Sequence, residues 1–248
     1  MTIFQVFLTL TILIIASAFD LKTREVPNRI WIISFPISII TISTHLLSNP
    51  DQLFISLVSV AITTTIAIAI FYLGLFGGAD AKALITLSIV HPISTNSLLS
   101  IPLLPLTTFN NSLILMVLTA PLVFIRNIYW KMTRHKSLFQ GFEKDPIWKK
   151  GAALLFCIKK MKSEIKPYHT IAETRMSHNG EVYRTLNIFQ RVSEEDTKID
   201  DTLPDDIFVV FSLPMLPFLT FAYVLGISVG DLILHLLTIF LNLPRLQI

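Results

Sequence analysis

Two aspartates, Asp20 and Asp80, are the residues of this chain whose type and position best suit catalysis. Asp20 ends the first long apolar segment, and Asp80 follows two glycines that interrupt a later one, in FYLGLFGGADAKALITLSIV. When two carboxyls lie together, one keeps a proton and can donate it to a substrate carbonyl, while the ionised partner activates water. The pair therefore predicts aspartic-protease chemistry, which requires no metal and no cofactor.

The residues around Asp80 predict a tight junction between two helices. Gly77 and Gly78 have no Cβ, so the chain can change direction sharply there. Asp80 would then lie at a helix start, where free N–H groups favour a carboxylate. The alternative for Asp80 is a purely structural role as an N-cap. The alternative for the pair is that Asp20 and Asp80 are two unrelated acids, paired with Lys22, Arg24 or Lys82. Lys82 either steadies the ionised pair or marks the cytoplasmic boundary, and we favour the boundary.

Other chemistries find little support. Gly226–Gly230 matches G-x-S-x-G, but it lies in an apolar helical segment, and His235 is about 10 Å from Ser228 along a helix axis. Asp231 is expected to be an interfacial or helix-capping acid on the external side. The single cysteine and six histidines have no metal-ligand spacing, which argues against structural zinc and metalloproteases.

The composition indicates an integral membrane protein that must hold these residues on apolar helices. The chain is 52% hydrophobic and only 15% charged, with a mean hydropathy of +0.65. A bilayer core needs roughly 20 apolar helical residues. We predict six spans and an all-α membrane fold, with both termini outside and the first span retained rather than cleaved. The spans are predicted at 3–19, 30–47, 53–76, 81–90, 113–125 and 208–230, the fourth being short or continuing imperfectly through Ser100.

The distribution of basic residues predicts the orientation. Nineteen of the twenty Lys and Arg residues fall on one side of the predicted topology, and only Arg245 falls on the other. Because short basic loops stay in the cytoplasm, we expect Asp20, Asp80 and residues 128–206 on the cytoplasmic side.

We predict three regions. Residues 1–127 form the membrane domain, residues 128–206 a cytoplasmic α+β insert, and residues 207–248 the sixth span with an external C-terminal segment. Residues 126–166 hold eleven basic and three acidic side chains, and residues 167–206 hold four basic and nine acidic ones. The basic half could rest against anionic headgroups or form a solvated face. Asn179-Gly180 predicts a β-hairpin, and Ser193 to Asp206 an acidic linker.

The two aspartate motifs resemble a known family. Asp20 followed by Val26-Pro27-Asn28, and the turn Gly77-Gly78-Ala79-Asp80, look like those of type IV prepilin peptidases and the archaeal preflagellin peptidases. The resemblance covers mainly residues 1–130. It implies that Asp20 and the aspartate of a G-x-G-D motif, here Asp80, are the catalytic pair, supported by the other motif residues and Lys82. Ala79 replaces the second glycine, and a bacterial cysteine-rich loop is absent, which favours the archaeal branch.

The resemblance also implies a substrate. We expect an endopeptidase in the cell membrane that removes the short basic leader of a prepilin or preflagellin precursor, whose partners are that precursor and the bilayer, not nucleic acid. One alternative is a presenilin-like or signal-peptide-peptidase-like protease, although Phe19-Asp20 lacks the Tyr-Asp motif of those enzymes. Another is an ion- or proton-coupled transporter that uses Asp20 and Asp80, for which inverted repeats would be expected.

Overall fold

The computed structural model describes residues 3–94, 101–165, 169–178, 181–188, 205–210 and 213–241. The chain is mostly helical and separates into two compact units. The first unit comprises Met1–Met116 and Pro214–Ile248, and the second comprises Val117–Leu213. Each unit is described by itself.

The first unit is built from helices. Three long apolar helices come first: α1 (Ile3–Thr23), α2 (Asn28–Ser48) and α3 (Leu53–Tyr72), the last preceded by a 3₁₀ turn at Pro50–Gln52. The short helix α4 (Gly78–Val90) and α5 (Leu104–Val117) follow, and α8 (Met215–Ser228) and α9 (Leu232–Phe240) end the described chain. Exposed apolar side chains cover α1, α2 and α3, as expected for helices in lipid.

Four to five membrane spans are supported within the described residues. Four stretches are long and apolar enough to cross a bilayer: Ile3–Thr23, Asn28–Ser48, Pro50–Tyr72 and Leu104–Arg134. The pair α8 and α9 meets the same test together, but it is bent by 62° at its break. The predicted count of six is therefore not confirmed, because α4 has only 13 residues and measures about 20 Å. Of the two alternatives for the fourth segment, the structure has the short one, since the helix ends at Val90.

The short helix α4 forms the centre of the first unit. It contacts α1, α2, α3 and α8, and most of its side chains are buried. The apolar core around it includes Leu13 of α1, Leu84 and Leu87 of α4, and Leu216 and Leu219 of α8. Polar side chains also connect these helices.

These polar contacts are buried or partly buried. Ser17 and Thr220 hydroxyls lie 2.8 Å apart between α1 and α8. His91 Nδ1 lies 2.8 Å from the Tyr223 hydroxyl at the other end of α4. Because unpaired polar groups are costly away from water, such contacts restrict how the helices can pack.

The second unit combines two helices with β-structure. Its helices are α6 (Ala120–Arg134) and α7 (Ile147–Phe156), and its strands are β1 (Cys157–Met161), β2 (Thr170–Ile171), β3 (Glu173–His178), β4 (Glu181–Leu186) and β5 (Asp206–Val210). A 3₁₀ turn, Lys162–Glu164, follows β1. One antiparallel sheet has the order β1-β5-β2, and β3 and β4 form a second, two-stranded sheet.

The predicted hairpin is present in that second sheet. Strands β3 and β4 pair in register, with His178 opposite Glu181. The turn residues Asn179 and Gly180 and most of the predicted acidic linker, Ser193 to Pro204, lie outside the described residues. Asp206 belongs to β5 rather than to a linker.

The predicted start of the last span at Phe208 is wrong. Asp206–Val210 pairs antiparallel with β1, where Lys159 lies opposite Phe208. Ile207, Phe208 and Val209 are buried in the second unit. The run is rich in β-branched and aromatic residues, which favours a strand, and Pro214 separates it from the helix that begins at Met215.

Buried charges hold the second unit together. Arg184 donates to both carboxylate oxygens of Glu173, at 2.7 and 2.9 Å, and Lys159 Nζ lies 2.8 Å from Asp206 Oδ2. Lys159 also packs over the ring of Phe208 at 4.3 Å. Removing one member of such a network would leave its partner charged and unpaired, so the network favours a single arrangement of these strands.

Candidate active site

Asp20 lies in the last turn of α1, and its carboxylate is held by another helix. Its Oδ2 accepts a hydrogen bond from the backbone N–H of Leu216 at 3.2 Å. Leu216 is the second residue of α8, where N–H groups have no acceptor within the helix. The positive end of the α8 dipole therefore faces a half-buried carboxylate and helps to orient it.

Asp80 is held by the start of its own helix. It is the third residue of α4, and its Oδ2 accepts from the N–H of Gly77 at 3.0 Å. The Gly77 carbonyl in turn accepts from the Asp80 N–H at 3.1 Å. Asp80 therefore lies at a helix start, as predicted, but the N-cap of the structural alternative is Gly77, to which Asp80 reaches back from the first turn.

The glycines act differently from one another. Gly77 has φ −74°, which any residue can adopt. Glycine is favoured there because a side chain has little room: a Cβ would be 3.3 Å from Asp80 Oδ2. At Gly78 a Cβ would be 3.4 Å from the ring of Phe71. The left-handed conformation in this junction belongs to Gly74, whose φ is +69°. Only glycine adopts that conformation freely, so the chain reverses at Gly74 and not at the pair beside Asp80.

Asp20 and Asp80 lie close enough for their charges to interact. One comes from the end of α1 and the other from the start of α4, and the charge of Arg24 also acts on Asp20. Two neighbouring carboxyls cannot both ionise freely, so the arrangement can hold one proton between them. That Asp20 and Asp80 act together in catalysis stays a prediction.

The remaining motif residues lie at or near the starts of α2 and α4. Lys82 Nζ donates to Asn28 Oδ1 at 2.6 Å and so connects α4 to the first residue of α2. Pro27 is the N-cap of α2, and Ala79 packs at the edge of the apolar core. Lys82 therefore connects α4 to α2 by a hydrogen bond, in addition to any role at the predicted cytoplasmic boundary.

Asp231 has a structural role in a different place. It is fully buried, caps α9 through N–H groups of Ile233 and Leu234, and accepts from Asn110 Nδ2 at 3.0 Å. The predicted helix-capping function is therefore correct.

The G-x-S-x-G match has no catalytic geometry. The Ser228 hydroxyl donates to the Val224 carbonyl within α8, and His235 Nε2 lies 2.9 Å from the Val229 carbonyl. These bonds use the two side chains locally, as expected for a chance match.

Within the part of the chain that the structure describes, no group of three or more His, Cys, Asp or Glu side chains is positioned to bind a metal ion. Oδ2 of Asp20 and Oδ2 of Asp80 each accept one backbone N–H.

Leu216 is the part of the site that the sequence did not reveal. It contributes a backbone N–H, which no side-chain motif encodes, and it comes from a segment predicted to lie inside a longer span. The prolines at 214 and 217 carried the usable signal, since proline is common in the first turn of a helix and rare in its interior. Interpreted in that way, they place a helix N-terminus beside the cytoplasmic aspartates of the predicted topology.

Comparison with known proteins identifies the region that contains both aspartates. A family model described as the type IV leader peptidase family matches residues 7–120. No curated protein matches the chain. The family match includes Asp20, Asn28, Gly77, Asp80 and Lys82, and it confirms the resemblance that their spacing indicated.

Proposed function

Because the chain is prepilin peptidase-like over residues 7–120, we propose that it is a membrane-embedded aspartic endopeptidase in which Asp20 and Asp80 are the catalytic pair. The observation that supports this assignment best is the position of the two carboxyls on α1 and α4, which pack against each other. The charge of Asp20 acts on Asp80, and each carboxyl accepts a backbone N–H at the start of a helix. Such donors fix the orientation of a carboxylate without neutralising it.

The proposed reaction uses the pair as acid and base. The ionised carboxyl takes a proton from a water molecule, whose oxygen attacks the scissile carbonyl carbon. The protonated carboxyl donates its proton to the carbonyl oxygen, giving a neutral tetrahedral intermediate. Collapse of that intermediate breaks the C–N bond. The leaving nitrogen takes up the proton from the carboxyl that activated the water, and one hydroxyl of the intermediate returns its proton to the other carboxyl, so that the pair again holds one proton.

We propose a substrate that suits an active site at the ends of membrane helices. The leader of a prepilin-like or preflagellin-like precursor is short and basic and ends just before an apolar helix. The apolar helix can lie against the lipid-facing helices while the leader remains in water. Glu25 is exposed five residues after Asp20 and is a candidate contact for the basic leader, as is the acidic run at 194–206.

We further propose that both aspartates and residues 128–206 face the cytoplasm and that the termini lie outside, in accordance with the nineteen basic residues on one side. Cysteines placed at the exposed positions Glu143 and Ser163 should react with an impermeant thiol reagent only after cells are opened. A cysteine at Leu241 should react in intact cells. Labelling of positions 143 and 163 in intact cells would refute the orientation.

The assignment of the pair is tested by charge removal. Asn keeps the shape of Asp but cannot ionise, so Asp20→Asn or Asp80→Asn should each abolish leader removal from a co-expressed precursor, seen as a mobility shift on a gel. The double variant should be no worse than either single one, as for groups that act as a unit.

Asp231→Asn is the matched control, because Asn caps helices as well as Asp does, and it should cleave nearly normally. Single variants at Asp20 or Asp80 that insert normally and still process the precursor would disprove the pair.

A further inference from the structure

Helix α7 has an apolar face that no other described residue covers. Ile147 and Trp148 are 87% and 61% exposed, and Leu155 and Phe156 at the other end are also exposed. At 100° per residue, Ile147, Trp148, Gly151 and Leu155 fall within one third of the helix circumference. A Cβ added at Gly151 would meet nothing within 4 Å. The opposite side holds Ala153, which is buried in the core of the second unit.

A contact to α6 fixes the position of this face relative to a membrane span. Asn127 of α6 is buried, and its Nδ2 donates to the carbonyls of Leu154, at 3.1 Å, and Cys157, at 2.7 Å. Helix α6 is the second half of the candidate span Leu104–Arg134, and its exposed side chains include Leu122, Ile125, Tyr129 and Met132. The C-terminal end of α7 is therefore held beside a helix that enters the bilayer.

The residues that follow Asn127 mark the level of the headgroups. Tyr129, Trp130, Lys131 and Arg134 combine aromatic rings with basic groups, the composition typical of helices at the membrane–water boundary. Asn127 lies within one turn of Trp130, so α7 is anchored at the same level.

We propose that α7 is an interfacial helix, which inserts its exposed apolar face between the headgroups of an anionic bilayer and so docks the second unit on the membrane surface. Lys150 adjoins this face, the Nζ of Lys149 lies 6.0 Å from the ring centroid of Trp148, and residues 126–166 hold eleven basic and three acidic side chains. Basic residues near an anionic surface strengthen binding to that surface. An apolar face flanked by lysines is the pattern of helices that lie in the interface plane.

The depth of α7 is measured directly on the full chain in lipid vesicles. Cys157 is replaced by serine, and a nitroxide is attached to Gly151→Cys, where the open space accepts it. We expect its collision rate with oxygen to exceed that with a water-soluble nickel chelate, and the difference to grow when phosphatidylglycerol is added to phosphatidylcholine. The control label is attached at Ser163. Its neighbour Glu164 lies 4.0 Å from Arg134, and Arg134 is about 10 Å further along α6 than Asn127. Collisions with nickel should dominate there.

A second measurement keeps the native cysteine and uses no label on the protein. In a chain whose only tryptophan is Trp148, with Trp31→Phe and Trp130→Phe, spin-labelled lipids should quench the fluorescence. Gly151→Asp should reduce this quenching several-fold, whereas Gly151→Leu should preserve or increase it. Unreactive Cys157 in both variants would show that the second unit remains folded.

Two outcomes would overturn the proposal. Dominant nickel collisions at position 151 would place the face of α7 in water. Strong dipolar broadening between nitroxides at position 151, persisting when the chain is diluted in lipid, would assign the face to a second copy of the chain.

Discussion

The backbone N–H of Leu216 donates to Oδ2 of Asp20 at 3.2 Å, although the two residues are 196 positions apart in the chain. The first turn of α8 thus belongs to the environment of a carboxylate that ends α1. The contact orients Asp20 through a group that cannot be altered without changing the backbone itself.

We predict that Leu216→Pro lowers cleavage at least about tenfold below Leu216→Ala. Proline removes the N–H yet fits the first turn of a helix, whereas alanine keeps it. Both variants lose the buried leucine side chain, so the difference between their cleavage rates isolates the hydrogen bond. A hydrogen bond to a charged acceptor contributes about 1.5–3 kcal/mol. Rates are compared on purified enzyme with a precursor substrate. Equal rates would show that Asp20 is oriented by other contacts.

The two glycines before Asp80 should respond unequally to alanine. Gly77→Ala places a methyl group 3.3 Å from Asp80 Oδ2 and should displace the carboxylate, whereas Gly78→Ala meets only the ring of Phe71, which is half exposed and can rotate. We expect a strong loss of cleavage in the first variant and a small one in the second. Membrane insertion, checked by fractionation, should be normal in both. A greater loss in Gly78→Ala would contradict this assignment.

Lys82 and Asn28 should behave as a coupled pair. Their 2.6 Å hydrogen bond joins α4, which carries Asp80, to the start of α2. Lys82→Met and Asn28→Ala should each slow cleavage, and the double variant should be about 1 kcal/mol less impaired than the sum of the two, because the second change removes a bond already lost. A double-mutant cycle on kcat/KM measures this energy. Strict additivity would mean that the bond does not contribute to activity.

The thiol of Cys157 should be nearly inert while the second unit is folded. Burial, with a further contribution from the negative charge of Glu173, raises its pKa from 9.0 to about 12. At pH 8 the thiolate fraction is then about a thousandfold below that of an exposed thiol, and iodoacetamide should react correspondingly slowly. Denaturant should restore normal labelling. Rapid labelling of the native protein would show that the thiol is accessible.

The same pKa difference has a consequence for stability. Between pH 9 and 12 the unfolded thiol loses its proton and the folded one does not, so the second unit should become less stable as the pH rises through this range. Cys157→Ser lacks this contribution and serves as the matched control in unfolding experiments.

The sequence was most informative where one physical rule acts alone. Helices α1, α2 and α3 were predictable because apolar runs of about 20 residues have few other solutions in a membrane protein. Asp20 and Asp80 stood out because carboxylates are rare in such runs. Asn179-Gly180 predicted the hairpin of β3 and β4 because few sequences favour that turn.

Other features depend on tertiary contacts that no local pattern records. The apolar run at Ile207–Val210 suits a strand or the start of a span, and pairing with β1 decides between them. Likewise, the role of Leu216 depends on the approach of α8 to α1, and the Lys82–Asn28 bond on the packing of α2 against α4.

The first unit is formed from two separate segments of the chain, Met1–Met116 and Pro214–Ile248, which are synthesised at different times. Asp20 and Asp80 leave the ribosome early, but Leu216 is made only after the whole second unit. At about 5–20 residues per second, the 196 residues between Asp20 and its donor take roughly 10–40 s to translate. A nascent chain therefore carries both carboxylates without the hydrogen bond that orients one of them, and the site can be completed only after α8 has been made.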